Sequence, residues 1–222
     1  MTDTPRLDAG GPEPTAEELS AASAVFGDRL HLARGFVAHL ATSGIERGLL
    51  GPREVPRLWG RHVLNCAVVA ELMDTDASVV DVGSGAGLPG LAIAIARPDL
   101  RLDLVEPLER RVVWLKEVVD DLALGNVTVH RARAEEMVGT LHGDYVTARA
   151  VSALATLAGW TIPLTRADGQ VLAIKGRSVG EEIEKARKVI RRLGGGTAEI
   201  VSAGAAILEE PTTVVRIPVR PV

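Results

Sequence analysis

Ten consecutive residues, Asp81-Val82-Gly83-Ser84-Gly85-Ala86-Gly87-Leu88-Pro89-Gly90, hold the densest chemical signal in the chain. They follow a β-rich run, Ser78 to Val82, and open an apolar helical run, Leu88 to Arg97, whose first turn tolerates Pro89. Glycines at alternate positions let the backbone turn tightly and approach a ligand where a side chain would clash. The position three after Gly85 is Leu88, where a dinucleotide fingerprint has Gly or Ala, so the glycines alone also suit a plain strand-to-helix connection. Two acids sharpen the reading. Asp81 ends the first β-rich run, and Glu106 ends the next one 25 residues later, where a carboxylate receives ribose hydroxyls.

Further along stand Arg133 with Ala134 and Glu135, then Arg149, then Lys175, each just after an apolar run. A guanidinium binds phosphate bidentately or stacks on a base, whereas an ammonium meets phosphate as a point charge. Arg149, Arg133 and Lys175 are therefore the candidate catalytic cations, with solvated loop charges as the bland alternative. His62 lies in the apolar stripe of its helix, which suits a satisfied core histidine as well as a substrate contact. His31, His39, His130 and His142 show no metal-ligand spacing, and no metal is expected.

The elements that must carry these residues alternate. Apolar runs at Leu102 to Glu106, Val127 to Arg131, Tyr145 to Arg149 and Val171 to Lys175 are separated by helical stretches at Leu108 to Leu124, Ser152 to Leu164 and Val179 to Leu193. Two β-rich runs, Glu199 to Ser202 and Thr213 to Pro218, close the chain. That pattern predicts an α/β fold with a mainly parallel, doubly wound sheet over residues 76–222. In such a sheet the ligand crevice lies beyond the carboxyl ends of the strands, so residues scattered in sequence converge there. Upstream, Leu19, Ala22, Phe26, Leu30, Ala33, Val37 and Leu40 recur at helical spacing with a break near Gly27. Leu58, His62, Cys66, Val69 and Met73 do the same after a Gly- and Pro-containing loop, Gly44 to Pro56, which makes residues 17–75 a helical extension. Residues 1–16, acidic and rich in Pro and Gly, are expected to be a flexible tail.

The chain has 222 residues, 46% hydrophobic but only 3% aromatic, so its core must be aliphatic. The net charge of −4 and a pI near 5.8 speak against a strongly basic nucleic-acid binder. The charge is unevenly placed, however. The first 30 residues hold six acids against two arginines, which leaves the remaining body neutral, and Lys175 to Arg192 carries seven cations against three acids. The basic face of that last helix is either plain solvated surface or a source of phosphate attraction. Cys66 is the single cysteine, which excludes an internal disulfide and suits a reducing cytoplasm. With no apolar run long enough to span a bilayer and no secretory leader, a soluble cytoplasmic protein, without membrane or DNA partners and monomeric, is expected.

Asp-x-Gly-x-Gly-x-Gly with an acid ending the next strand resembles the cofactor region of class I S-adenosylmethionine methyltransferases of Rossmann-like fold. Reading outward narrows the likeness. Gly87-Leu88-Pro89-Gly90, Arg97-Pro98, Glu106-Pro107-Leu108-Glu109-Arg110-Arg111, Arg133-Ala134-Glu135-Glu136, Arg149-Ala150, Lys175-Gly176 and, upstream, Arg61-His62-Val63-Leu64-Asn65 together resemble the bacterial 16S ribosomal RNA guanine-N7 methyltransferases of the glucose-inhibited-division B family. The resemblance covers roughly residues 45–180. It departs from many members in having Gly48-Leu49-Leu50-Gly51-Pro52 where an Asn-Leu-Thr stretch stands. It implies S-adenosylmethionine as methyl donor, 16S ribosomal RNA or the small ribosomal subunit as partner, and cofactor contacts at Gly83, Leu88, Ala134, Glu135 and Arg149, with Ala134-Glu135 at the adenine. Gly85 and Glu106 complete the expected cofactor set. A carboxylate such as Glu135 can accept the adenine amino group.

Other chemistries fit less well. A lone cysteine ahead of the glycine turn argues against covalent attack on a pyrimidine. Arg149-Ala150-Val151 stands where an Asn-Pro-Pro-aromatic or Asp-Pro-Pro-aromatic sequence would serve an exocyclic amine. Guanine N7 already offers an in-plane lone pair and has no proton to lose, so its methylation needs alignment rather than a base. A nicotinamide-dependent oxidoreductase remains an alternative through the glycine turn and Glu106, with Leu88 against it. A non-catalytic ribosome-binding protein is a second, with the intact Asp81, Gly83, Gly85 and Glu106 against it.

Overall fold

Val79 and Val80 are neighbours on one strand, belong to opposite packing layers, and are both fully buried. Both faces of the sheet are covered, the condition under which strands read as continuous apolar runs. The computed structural model describes residues 10–149, 152–176 and 179–220. Ala150 of the Arg-Ala motif, Arg177 of the basic stretch and residues 1–9 of the tail lie outside the described residues.

Strands β1 (Ser78–Val82), β2 (Arg101–Val105), β3 (Val127–His130), β4 (Gly143–Arg149), β5 (Thr165–Ile174), β6 (Glu199–Ala203) and β7 (Thr212–Pro218) form one sheet in the order β3-β2-β1-β4-β5-β7-β6. The first five pair in parallel and β7 runs antiparallel to both neighbours, which is the mainly parallel sheet expected. The chain winds outward from β1 in both directions, since β1 pairs with β2 on one side and β4 on the other. The carboxyl ends of β1 and β4 therefore flank the switch point at which such sheets bind ligands.

Helices α1 (Ala16–Phe26), α2 (Leu30–His39), α3 (Asn65–Ala67), α4 (Gly90–Ala96) and α5 (Glu109–Asp121) cover one face, while α6 (Leu154–Thr161) and α7 (Gly180–Arg192) cover the other. The extension shares one hydrophobic core with α4 and α5: Phe36, Leu40, Leu58 and Leu64 pack in the same cluster as Leu91, Ile93, Trp114 and Leu115. Arg29 Nε donates to the Ile95 carbonyl at 2.8 Å and fixes the two parts together. A Thr15 capping box starts α1, and Gly27, at φ +50°, stops it at the predicted break.

Two features differ from expectation. Within the expected flexible tail, the Pro12 carbonyl accepts from Trp59 Nε1 at 2.8 Å and Glu13 pairs with Arg34 at 2.7 Å, so the stretch just before α1 is seated on the extension. The expected loop from Gly44 to Pro56 is bounded by helical turns, a π turn at Leu40–Gly44 and a 3₁₀ turn at Pro52–Arg57. A second π turn, Leu58–Leu64, follows and winds wide enough to bury Leu58, Trp59, His62 and Val63 together. Among the described residues, no helix is long and apolar enough to cross a membrane.

Candidate active site at the glycine turn

Asp81 is the first part of the site to be built, and it is wholly inside. Its carboxylate accepts from Gly90 N at 3.1 Å and from Thr147 Oγ1 at 3.1 Å, while Ser84 Oγ donates to its backbone carbonyl at 2.9 Å. Burial pushes its carboxyl up to about 6, against the pull of the Ser84, Thr147 and Gly90 hydrogen bonds and with a smaller push from Glu106. Asp81 thus braces the turn from beneath. Above it Gly83, Gly85 and Gly87 all have positive φ. Gly85 at +56° takes the left-handed form that a side chain disfavours. Gly90 is needed for a different reason, because a Cβ there would collide with Leu104 Cδ2 and the Asp81 carboxylate, where α4 meets the sheet.

Glu106 follows β2 and is also buried, 1% exposed. One oxygen accepts from Gly85 N at 3.0 Å and the other from Leu108 N at 2.9 Å. An ionised carboxylate has about four acceptor positions, so two backbone donors leave capacity for ligand hydroxyls. Arg111, on α5, approaches with Nη1 3.5 Å from Glu106 Oε2, and its buried Nε has no hydrogen-bond partner.

Gly83 is the shared wall of two cavities. The first, about 230 Å³, is lined by Gly83, Val105, Pro107, Arg133, Ala134, Glu135 and Trp160. The second, about 360 Å³, is lined by Leu49, Leu50, His62, Gly85, Leu88, Arg111 and Arg149 as well as Gly83. Of the expected cofactor set, Gly83, Ala134 and Glu135 meet in the first cavity, and Gly83, Gly85, Leu88 and Arg149 in the second, while Glu106, buried beneath the glycine turn, lines neither. A larger groove of about 700 Å³ lies elsewhere, between α1 and the Ile207–Glu210 segment, and touches none of the strand ends.

The three candidate cations do not converge. Arg133 is exposed at the rim of the first cavity, with its backbone N–H bonded to Glu136 at 2.8 Å. Lys175 lines neither cavity. Its Nζ donates to the Ser152 carbonyl at 2.6 Å and to Glu182 at 2.9 Å, and Glu182 also accepts from Leu154 N at 3.0 Å, so the pair ties β5 to the starts of α6 and α7. The Lys175 ammonium holds the Glu182 carboxyl below its ordinary range. Arg149 lies in the second cavity, donating to Cys66 Sγ and to His62 Nδ1, both at 2.9 Å. Cys66 is fully buried, and burial pushes its thiol up to about 11. Among the described residues, no cluster of three or more His, Cys, Asp or Glu could hold a metal ion.

Sequence reasoning passed over Leu49, Leu50 and Arg111 as site residues, and left Trp160 as one of six aromatics that could stack on a base. Arg111 had a usable signal, since it stands five residues after Glu106 near the start of the following helix. The leucines had none, because a loop dileucine reads as ordinary apolar filling.

Comparison with known proteins decides the family. The family model described as rRNA small subunit methyltransferase G matches residues 29–209. The chain belongs to that family. The proteins named ribosomal RNA small subunit methyltransferase G from Paenarthrobacter aurescens and from an Arthrobacter species are 67% and 68% identical to it, over 92% and 91% of this chain and 95% and 94% of theirs. A solved S-adenosylmethionine-dependent methyltransferase from Aquifex aeolicus shares the fold at a TM-score of 0.53 and 18% identity, covering 77% of this chain and 99% of the other. Membership in the rRNA small subunit methyltransferase G family makes the chain an S-adenosylmethionine-dependent methyltransferase and removes the oxidoreductase and non-catalytic readings.

Proposed function

We propose that the protein methylates N7 of a guanosine in 16S ribosomal RNA, with the adenosine of S-adenosylmethionine in the first cavity and its methionine end, beside the target base, in the second. The observation that carries this reading is the position of Gly83 between a cavity edged by Glu135 and one edged by Arg149. The chain's residues fit such a cofactor. The glycine turn leaves room at the strand end, Glu106 lies beneath it with lone pairs that Gly85 and Leu108 do not use and would reach ribose hydroxyls once the turn shifts, Glu135 can accept from the adenine amino group, and Arg111 has a guanidinium with one unsatisfied N–H beside the second cavity. When bound, the cofactor supplies an electrophilic methyl group on a sulfonium.

The residues around the second cavity then have three tasks. Leu49, Leu50 and Leu88 offer apolar surface to a base drawn out of the RNA stack, in place of an aromatic platform. Arg149 places a positive charge at the cavity wall, suited to the guanine edge or a flanking phosphate. No group has to remove a proton, because N7 carries none. In agreement, both nitrogens of the His62 ring are already engaged, Nε2 by Glu54 at 2.7 Å and Nδ1 by Arg149. Alignment and water exclusion then account for the rate. Lys175 serves as a brace for the crevice and Arg133 as a rim cation near the adenosine.

Small ribosomal particles lacking the modification, incubated with the protein and methyl-labelled S-adenosylmethionine, should gain one methyl per particle. Chain scission specific for N7-methylguanosine should locate it. Label confined to protein or small molecules, or carried on another base, would overturn the assignment.

A further inference from the structure

Arg149 leaves the end of β4 and is received entirely by the extension. Nη1 donates to Cys66 Sγ at 2.9 Å and to the His62 carbonyl at 3.4 Å; Nη2 donates to His62 Nδ1 at 2.9 Å and to the Arg61 carbonyl at 3.2 Å. A guanidinium has five N–H donors and no acceptor, so His62 Nδ1 must present a lone pair to it. On the other side of the ring, Glu54 Oε2 stands 2.7 Å from Nε2, and an ionised carboxylate can only accept. One form of the ring satisfies both neighbours, the neutral tautomer with its proton on Nε2. The second nitrogen of a histidine is often set by the bond its first nitrogen makes.

We propose that Glu54 and His62 are positioning residues for methyl transfer: Glu54 fixes the tautomer of His62, and the Nδ1 lone pair holds the Arg149 guanidinium at the wall of the second cavity. This inference rests on the function proposed above. It gives the extension a part in the chemistry, because Arg149 is supplied by the sheet and every group that aims it by residues 54–66. Protonation of His62 would turn an N–H toward Arg149 and release it. The charged and titratable groups facing the ring are Glu54 and Arg61 from the extension and Arg149 from β4; Arg57 acts on Glu54, and Cys66 stays a neutral thiol. Burial, Arg149 and Arg61 lower the imidazole's proton affinity, and the Glu54 bond raises it.

The test measures kcat and KM for small ribosomal particles with the full-length protein, from about pH 4 to about pH 8, extended below the ordinary histidine range because burial lowers the proton affinity of His62. Asparagine places its amide oxygen close to Nδ1, and glutamine places its amide near Nε2. His62→Asn should therefore retain more kcat than His62→Gln and lose the acid limb of the wild-type profile, because the acceptor for Arg149 survives without titrating. His62→Gln should lose about 10- to 100-fold in kcat with KM little changed, the cost of an absent bond to a charged group. In Glu54→Gln the acid limb should move to lower pH, since the charge that favours the imidazolium is gone. Equal kcat in the two His62 variants, or an unmoved limb in Glu54→Gln, would overturn the positioning role. The Glu54→Gln limb decides the matter if a His62 variant fails to fold. Absence of methyl transfer by the wild-type protein would count against the proposed function and not against this relay.

Discussion

Arg149 and Lys175 are both cations at the end of a parallel strand, and their partners give them different work. Lys175 faces a carboxylate and a carbonyl of its own fold; Arg149 faces a histidine ring, a thiol and two carbonyls at the edge of a cavity. Arg149→Ala should lower kcat on the order of a hundredfold, as expected when a reacting group is no longer aligned, with a smaller change in melting temperature. Lys175→Ala should register chiefly as a stability loss of about 1–2 kcal/mol in urea, kept modest by the partial exposure of Glu182. A larger stability loss in the first variant than in the second would contradict both roles. Asp81 provides a pH signature. Its folded value, about 6, lies above its ordinary value of 3.8, so the folded state binds the proton more tightly. Its contribution is full below about pH 4 and declines as pH rises through about 6. The stability difference between wild type and Asp81→Asn, measured by urea unfolding, should accordingly fall by about 3 kcal/mol at most across that window. A flat difference would show that the carboxyl is not held in this way.

At the scale of elements, the turn between β1 and α4 works because the helix can approach the sheet closely. Gly90→Ala puts a methyl against Leu104 and the Asp81 carboxylate, and should cost about 1–3 kcal/mol, the usual penalty for overpacking, as seen in thermal or urea unfolding. A neutral effect would mean that α4 can slide. The later helices and all strands but β5 were legible in sequence to within a few residues, because buried parallel strands and amphipathic helices differ in period and are set off by Gly and Pro; β5 begins at Thr165, six residues before the expected Val171, where Arg166, Asp168 and Gly169 interrupt the apolar run. The π turns at Leu40–Gly44 and Leu58–Leu64 were not legible. Wide winding leaves the run of apolar residues intact and changes only which of them share a side. What selects it is the core the extension shares with α4 and α5, a tertiary contact absent from any local pattern.

For the whole molecule, charge layout outweighs net charge. The total of −4 coexists with α7, whose Lys185, Arg187, Lys188, Arg191 and Arg192 are exposed while Ala186 and Ile190 are buried. The helix starts beside the Lys175–Glu182 pair, and its exposed cations offer a face with the charge to attract phosphate. Lys188→Ala should weaken binding to 16S ribosomal RNA at low salt and reduce the slope of log affinity against log salt by about 1. An unchanged slope in a filter-binding or fluorescence titration would reduce this face to solvated surface.

By itself the sequence determined the mainly parallel sheet, the glycine turn and which acids stand at the ends of the first two strands, because each depends on local period, on glycine at a turn, or on which residue ends a strand. Only the tertiary structure decided how Arg133, Arg149 and Lys175 divide among rim, cavity and brace. A position after a strand end states that a cation is near the crevice; which acceptors surround it depends on groups 7 to 88 residues away, such as Glu182 and the Ser152 carbonyl for Lys175 and the Arg61 carbonyl for Arg149. His62 and Cys66 of the extension stand 87 and 83 residues before Arg149, and packing in a shared core is what brings the extension to the sheet.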